Sequence, residues 1–422
     1  MRPRSSGRPC PPDGGIPQSA AFAKRRRMAC PPTPFGDTLA RQVTDLETPP
    51  AAAATRSTID WPGWAVYLGS SWTWCIGMFL PVLLVRDYGI WSFVAFAAPN
   101  VIGAAAMGWV MRSGAHSRRF LQDHRVAVPT FSIVTILFQA FFIGWLCRAG
   151  GNSVPVIGGA FGGLLILMLL LLRAGYGMER WLALLAALVS WAMGVIVLKY
   201  RLNLGLHWPA GRDGTPVELA ALAAACGLGF LLCPYLDRTF HFARGQLSPA
   251  GAKAAFGVGF GVVFFSMILF TLAYSDLIGF GHLRDAILAA IIIHLIVQTA
   301  FTAAAHAALV QSWVAVLAVV AATAAAFFFA AVGPSIAWLP AGEEFGYRAF
   351  MAFYGLIAPA YVWLCAIPFR AGRPTRRQGI ALVVAIVAAA PFYWMAFIER
   401  QMPWAAGGVA IVLLAKVLAP RR

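Results

Sequence analysis

From Trp61 onward the sequence is a succession of apolar runs about 20 residues long, the length of helix that crosses a bilayer. Lipid offers no hydrogen bonds to an open backbone, so each run is predicted to be a helix. The predicted spans lie near 63–85, 89–111, 126–147, 154–172, 181–199, 216–236, 255–275, 285–309, 313–332, 348–368, 378–398 and 404–419. That makes about twelve, the last being short. The composition agrees, with 60% hydrophobic and 12% charged residues and a mean hydropathy of +0.73. Soluble domains are about half apolar and about a quarter charged. The predicted fold class is therefore an all-α polytopic membrane protein.

The formal net charge is +17 over 422 residues. The basic residues fall between apolar runs and form no continuous face, which excludes a nucleic-acid partner. The loops RSGAHSRRFLQDHR, RAGYGMER, DRTFHFARGQLSPAGAK and FRAGRPTRRQG follow even-numbered spans, and all are basic. The loops VRDYG, CRAGGNS, YSDLIGFGHLRD, WLPAGEEFGYR and ERQMP follow odd-numbered spans and are mixed or acidic; KYRLNLGLHWPAGRDGTPVE is the exception. Lys and Arg hold loops in the cytoplasm. This predicts a multi-pass protein of the cell membrane, with lipid as its partner and both termini cytoplasmic. The seven cysteines contain no CxxC pair. Cys75, Cys147, Cys226, Cys233 and Cys365 sit in or beside apolar runs and read as small buried residues, not disulfide or zinc ligands.

Residues 1–60 are rich in Pro, Arg, Gly and Ser and lack apolar periodicity, which predicts a disordered, basic cytoplasmic tail. AKRRRMAC has no adjoining apolar run and is no signal peptide, and Met28 is an alternative start. The rest, 61–422, reads as one transmembrane domain. Short repeats are absent. Two blocks of five spans, 63–199 and 216–368, would be inverted relative to each other, leaving 378–419 as extra helices. The first span, YLGSSWTWCIGMFLPVLL, carries Gly69, Ser70, Ser71, Gly77 and Pro81. The sixth, AAACGLGFLLCPYLDRTFHFAR, carries Gly227, Gly229 and Pro234. Interrupted spans at matching positions of two halves point to a transporter's site. Glycine and proline are also ordinary in membrane helices.

GSSWTWCIGMFLP, followed by APNVIGAAAMGW in the second span, resembles the opening of the amino acid–polyamine–organocation superfamily. The sodium/solute symporter and nucleobase–cation symporter branches are the most similar. FYGLIAPAYVWL, 353–364, is similar to their tenth span. The resemblance covers about 63–368 and rests on hydropathy, glycine placement and topology. It implies a LeuT-type five-plus-five inverted repeat and ion-coupled uptake of a small solute. It also implies that the broken first and sixth spans hold the solute, with a sodium ion between the first and eighth spans.

The eighth span, ILAAIIIHLIVQTAFTAAAHAALV, places His294, Gln298, Thr302 and His306 four residues apart, with Thr299 beside them. Each step of four rotates about 40° on a helix, so they share one face. Such a stripe should face protein or a water-filled cavity. Its histidines can relay protons. By the resemblance, Thr299 and Thr302 are the candidate sodium ligands. Interhelical hydrogen bonding explains the same stripe. His294 and His306 stand three turns apart and cannot share a metal ion. In the third span Ser132, Thr135 and Gln139 form a second polar face. Asn100 follows Pro99 in the second span and can bond an opened backbone or a solute. Trp72 and Trp74 flank Thr73 and either line a cavity or pack in the core. Asp237 closes the sixth span and reads either as a gating ion pair with Arg238 or Arg244 or as a solvated end.

GEEFGYR matches the EExxxR pattern of the CAAX-type intramembrane proteases, with Glu343 and Glu344 as the catalytic pair. No histidine follows His306, so the second proton-handling group that hydrolysis needs is missing. The stretch reads instead as the outer start of the tenth span, where acidic residues suit a helix N-terminus. Glu344 and Arg348 there stand at i, i+4. No enzymatic activity is expected. Three readings stay open: a secondary transporter, a membrane scaffold or subunit, and an EExxxR enzyme. The transporter reading puts Ser71, Thr73 and Asn100 at the solute, His294 and Gln298 along the cavity, and Thr299 and Thr302 at an ion. The cofactor expectation is none beyond sodium, and the solute remains open.

Overall fold

The computed structural model describes residues 60–418, except 150–153, 176, 204–211, 276–284, 311, 336–337, 340, 368 and 370–371. The N-terminal tail, including Met28, lies outside the described residues. The described chain is helical throughout, with no strand among the described residues.

Every predicted span is a helix. The first is split into α1, Trp61–Trp72, and α2, Cys75–Tyr88, which meet at a bend of 54°. Then follow α3, Trp91–Val110, a short α4, Gly114–Asp123, and α5, Ala127–Ala149. The next are α6, Val154–Ala174, and α7, Met178–Asn203. The sixth span is α8, Pro216–Leu232, which ends in a tight turn over Cys233–Leu236; a short α9, Arg238–Gln246, follows the span. The remainder are α10, Pro249–Tyr274, α11, Asp285–Ala308, α12, Trp313–Val332, α13, Gly342–Ala366, α14, Arg376–Ile398, and α15, Trp404–Leu418. Among the described residues ten helices are long and apolar enough to cross a membrane, the bent pair makes an eleventh, and α15 is shorter. The chain is a polytopic membrane protein.

Local chemistry sets the helix starts. Thr215 and Glu218 form a reciprocal capping box ahead of α8, and Thr375 and Gln378 do the same for α14. Ser248 caps α10, whose first residue is proline. Large apolar side chains such as Val217, Leu317, Val383 and Val417 stay exposed on the outside, as lipid-facing residues do.

The helices cross between two ends. At the proximal end lie the start of α1, the short α4 and α9, and the junctions of α6 with α7 and of α13 with α14. At the distal end α2 finishes beside the starts of α8 and α13 and the end of α14. The amide of Gly214 donates to the Tyr88 carbonyl there, and Tyr88 donates to the Arg400 carbonyl. Close approach of backbones requires glycine at Gly69, where a Cβ would stand 2.8 Å from the Gly259 carbonyl oxygen. That contact seats α1 on a π-helical bulge of α10, Gly259–Phe264. Gly227 and Gly229 remain helical, so the sixth span breaks later than its glycines suggest, beyond Leu232.

Candidate functional site

The break in the first span is a sharp turn. Thr73 has φ −77° and ψ 73°, Trp74 is extended, and the Trp74 amide donates to the Trp72 carbonyl at 2.8 Å. This is an inverse γ-turn. It removes the helical partners of carbonyls in the Ser70–Trp72 stretch and turns three side chains inward. The Trp72 indole donates to Asn100 Oδ1 at 2.7 Å, and the Trp74 indole to the Ser71 carbonyl at 2.6 Å. Thr73 donates to the Gly69 carbonyl. The two indoles lie 4.2 Å apart.

The polar face of α5 runs along this break. Gln139 Oε1 accepts from the Cys75 amide, which begins α2. Thr135 accepts from the Tyr354 hydroxyl of α13, and Tyr354 packs on Trp74. Ser132 Oγ lies 3.1 Å from His306 Nδ1. A small cavity of about 10 Å³, lined by Trp72, Trp74, Asn100, Phe230, Cys233 and Tyr354 among others, sits against the turn. It has room for about one water molecule.

The α11 stripe divides. Thr302 Oγ1 lies 3.4 Å from the Ser70 carbonyl and 3.5 Å from that of Ser71. His306 also faces the break. Thr299 donates back to the Leu295 and Ile296 carbonyls of its own helix. Gln298 reaches α7 through the Ala186 carbonyl and Ser190. His294 lies buried beside Phe270, with both ring nitrogens unpartnered among the described residues. The structure therefore gathers Ser71, Thr73, Asn100 and Thr302 at the break. It sets His294, Gln298 and Thr299 apart from the small cavity.

Sequence reasoning missed one residue. Asp237 was read as a gating partner of Arg238 or Arg244 or as a solvated end, and neither describes it. Its side chain is 0% exposed and caps α9, accepting from the amides of Thr239 and Phe240 and the Thr239 hydroxyl. Arg244 instead donates to the carbonyls of Met111, Arg112 and Leu247. Asp237 Oδ2 points at His306 Nε2, 3.6 Å away. The Thr239 hydroxyl lies 3.2 Å from that of Ser71, so the breaks of the first and sixth spans touch. The signal was present in CPYLDRT, where proline, then Asp, then Thr two residues on, reads as a helix that stops and is recapped.

A second cavity of about 610 Å³ opens at the proximal end, lined by Trp64, Tyr67, Glu179, Arg180, Phe242 and Ala305 among others. Tyr67, packed on Trp64, Phe242 and Phe301, floors it. The distal end is shut by charge. Glu344 pairs with Arg86, Arg348 and Arg400, and Arg348 pairs with Asp87. Glu343 accepts from Ser335 and lies 3.7 Å from Arg148. GEEFGYR thus knots the distal end, and its carboxylates face guanidinium groups. The five cysteines in the spans are buried and free. Among the described residues no cluster of three or more His, Cys, Asp or Glu could hold a metal ion.

Neither a protein-family model nor a curated protein matches the sequence. Among solved structures the fold is similar to that of Mhp1, a nucleobase-cation-symport-1 family transporter, in a closed conformation with bromovinylhydantoin bound. The TM-score is 0.48 at 15% identity, over 85% of this chain and 91% of that chain.

Proposed function

We propose that this chain is a secondary transporter that moves a small solute across the cell membrane by alternating access. The observation that carries the reading is the turn at Thr73. It takes backbone carbonyls out of the helical pattern and sets the Asn100 amide and two indoles around a small cavity, with a vestibule on one side and an ion-pair knot on the other. A scaffold has no need of an opened helix at its centre. Breaks at corresponding places in the first and sixth spans support an inverted repeat over 63–199 and 216–368. The basic loops lie at the proximal end, so that end is cytoplasmic, as are both termini. The conformation faces inward, with the distal knot closed.

The solute sits at Ser71, Thr73 and Asn100, with Trp72 and Trp74 as walls. The absence of an arginine or lysine from the cavity lining favours a neutral solute. His294 and Gln298 act further along, on the α7 side. Sodium has a place between α1 and α11. The Thr302 hydroxyl and the Ser70 and Ser71 carbonyls are spaced wider than a good hydrogen bond, as oxygens are when they share a cation. Thr299 joins them only by releasing the carbonyls of its own helix.

Single cysteines at Ser71, Asn100, His294, Gln298 and Thr302, in a background without native cysteines, test the reading. A small water-soluble thiol reagent is applied from each side, with and without sodium. Labelling at Ser71, Asn100 and Thr302 that depends on side and on sodium supports an alternating, ion-sensitive cavity. Labelling nowhere makes the α11 stripe a packed seam and the chain a scaffold.

A further inference from the structure

Asp237 and His306 form a pair with no counterpart in the distal knot. Both side chains are 0% exposed. One oxygen of Asp237 is saturated by two amides and a hydroxyl, and one nitrogen of His306 is engaged by Ser132. The remaining two atoms, Asp237 Oδ2 and His306 Nε2, have no hydrogen-bond partner among the described residues and face each other across 3.6 Å. No arginine or lysine of the described residues lies within ion-pair distance of Asp237, and His306 is its one such partner there.

We infer that this pair is the transporter's proton-binding site, so that transport is coupled to protons through Asp237 and His306. The inference rests on the transporter reading above and adds a proton, as a second coupled ion, to the sodium placed there. One proton balances the pair. An aspartate beside a neutral histidine carries one net negative charge. Added at the gap between Oδ2 and Nε2, a proton makes either a neutral acid with a neutral imidazole or an aspartate–imidazolium ion pair. Both products have no net charge. A buried, uncompensated charge costs several kcal/mol, and a compensated one much less. A proton at this gap would leave the buried pair without net charge, the arrangement that burial favours. Water reaching Asp237 stabilises the bare carboxylate and releases the proton.

The route is also on hand. Ala305, which precedes His306 on α11, lines the proximal vestibule, as do Tyr67 and Phe242. The titratable groups around Asp237 are Tyr67 of α1, Tyr354 of α13 and His241 of α9, and Glu179 lines the vestibule with Tyr67. Moving the Tyr67 ring would open the pair to vestibule water. Ser71, linked to Asp237 through Thr239, carries the change to the broken first span.

The test uses the full-length protein in lipid, with sodium replaced by potassium. Infrared difference spectra over about pH 4 to about pH 8, where carboxyl and imidazole groups titrate, read the protonated-carboxyl stretch. Alkylation of Gln246→Cys, at the vestibule, in a background without native cysteines reads the conformation. Asp237→Asn keeps the Oδ1 acceptor that caps α9, and His306→Gln gives a second variant. Monodisperse elution checks that each variant folds.

We expect a titrating carboxyl band that vanishes in Asp237→Asn. The alkylation rate should change about tenfold across the titration, as one unit of difference in proton affinity between conformations requires. That change should be flat in both variants and survive His241→Gln. A band or a pH response that persists in both variants overturns the proposal, as does the absence of any titrating band. The transporter reading fails separately, if thiols at Gln246 and Asn100 never change accessibility under any ion or pH condition. A band lost in Asp237→Asn under those conditions would leave a proton site without transport, overturning the coupling.

Discussion

Arg348 Nη2 lies 2.7 Å from Asp87 Oδ2 and 2.9 Å from Glu344 Oε2, so one nearly buried guanidinium ties the end of α2 to the start of α13. Its Nη1 donates to the Phe397 carbonyl, which adds α14 to the same knot. Three helices are thus joined at the distal end through one side chain.

Arg348→Ala should open the distal end. Removing one partner of a buried pair costs about 3 to 5 kcal/mol, because the other charges stay behind uncompensated. Arg86 is far more exposed, and Arg86→Ala should cost no more than about 1 kcal/mol. Melting midpoints of the two variants, with thiol labelling from the distal side, check the order. Equal effects would show that the knot is only a surface charge cluster.

Asn100→Ala removes the acceptor of the Trp72 indole, leaving a buried donor unpaired at a cost of about 1 to 3 kcal/mol. The melting midpoint should fall, and labelling of a thiol at Ser71 should rise as the turn loosens. Asn100→Asp keeps an acceptor oxygen and should retain the turn better than alanine.

His241 makes stability fall on the acid side. It stacks on Phe120, Nε2 faces the Tyr235 carbonyl at 2.9 Å, and Nδ1 faces the Ser117 hydroxyl at 2.7 Å, which suits a neutral ring. Burial pushes its pKa down to about 4. The unfolded chain takes up its proton near pH 6.5, so stability is full above about that pH and declines toward pH 4, by up to about 3 kcal/mol. Burial lowers the pKa of His124 as well, in the same direction. His241→Gln should flatten part of the slope in a melting-midpoint series against pH. An unchanged slope would assign it to other groups.

Gly103→Ala tests the packing behind Asn100. A Cβ there would stand 2.1 Å from the Phe230 carbonyl oxygen of α8, so α3 and α8 must move apart. Overpacking of this kind costs about 1 to 3 kcal/mol. A melting midpoint equal to wild type would mean that the two helices part freely.

Much of this architecture was legible in the sequence, because lipid imposes a length and an apolar character on each span that no distant contact needs to supply. The break in the first span was legible too. GSSWT combines a glycine needed for close approach with hydroxyls that compete for backbone carbonyls. The α11 stripe was legible as a face, since helical spacing alone puts Thr302 and His306 on one side. Periodicity says nothing of the neighbour, so only the tertiary structure decided that Gln298 meets α7 while Thr302 meets the first span. Asp237 was the clearest loss. Beside Arg238 at the end of an apolar run it has the local pattern of a solvated charge. Its burial comes from α1, α5 and α11, each more than 45 residues away in the chain. Apolar length along the chain determined that this protein spans a membrane and where it does so. The meeting of helices remote in sequence decided which polar groups share the interior, because burial and partnership are properties of the neighbours a residue is given.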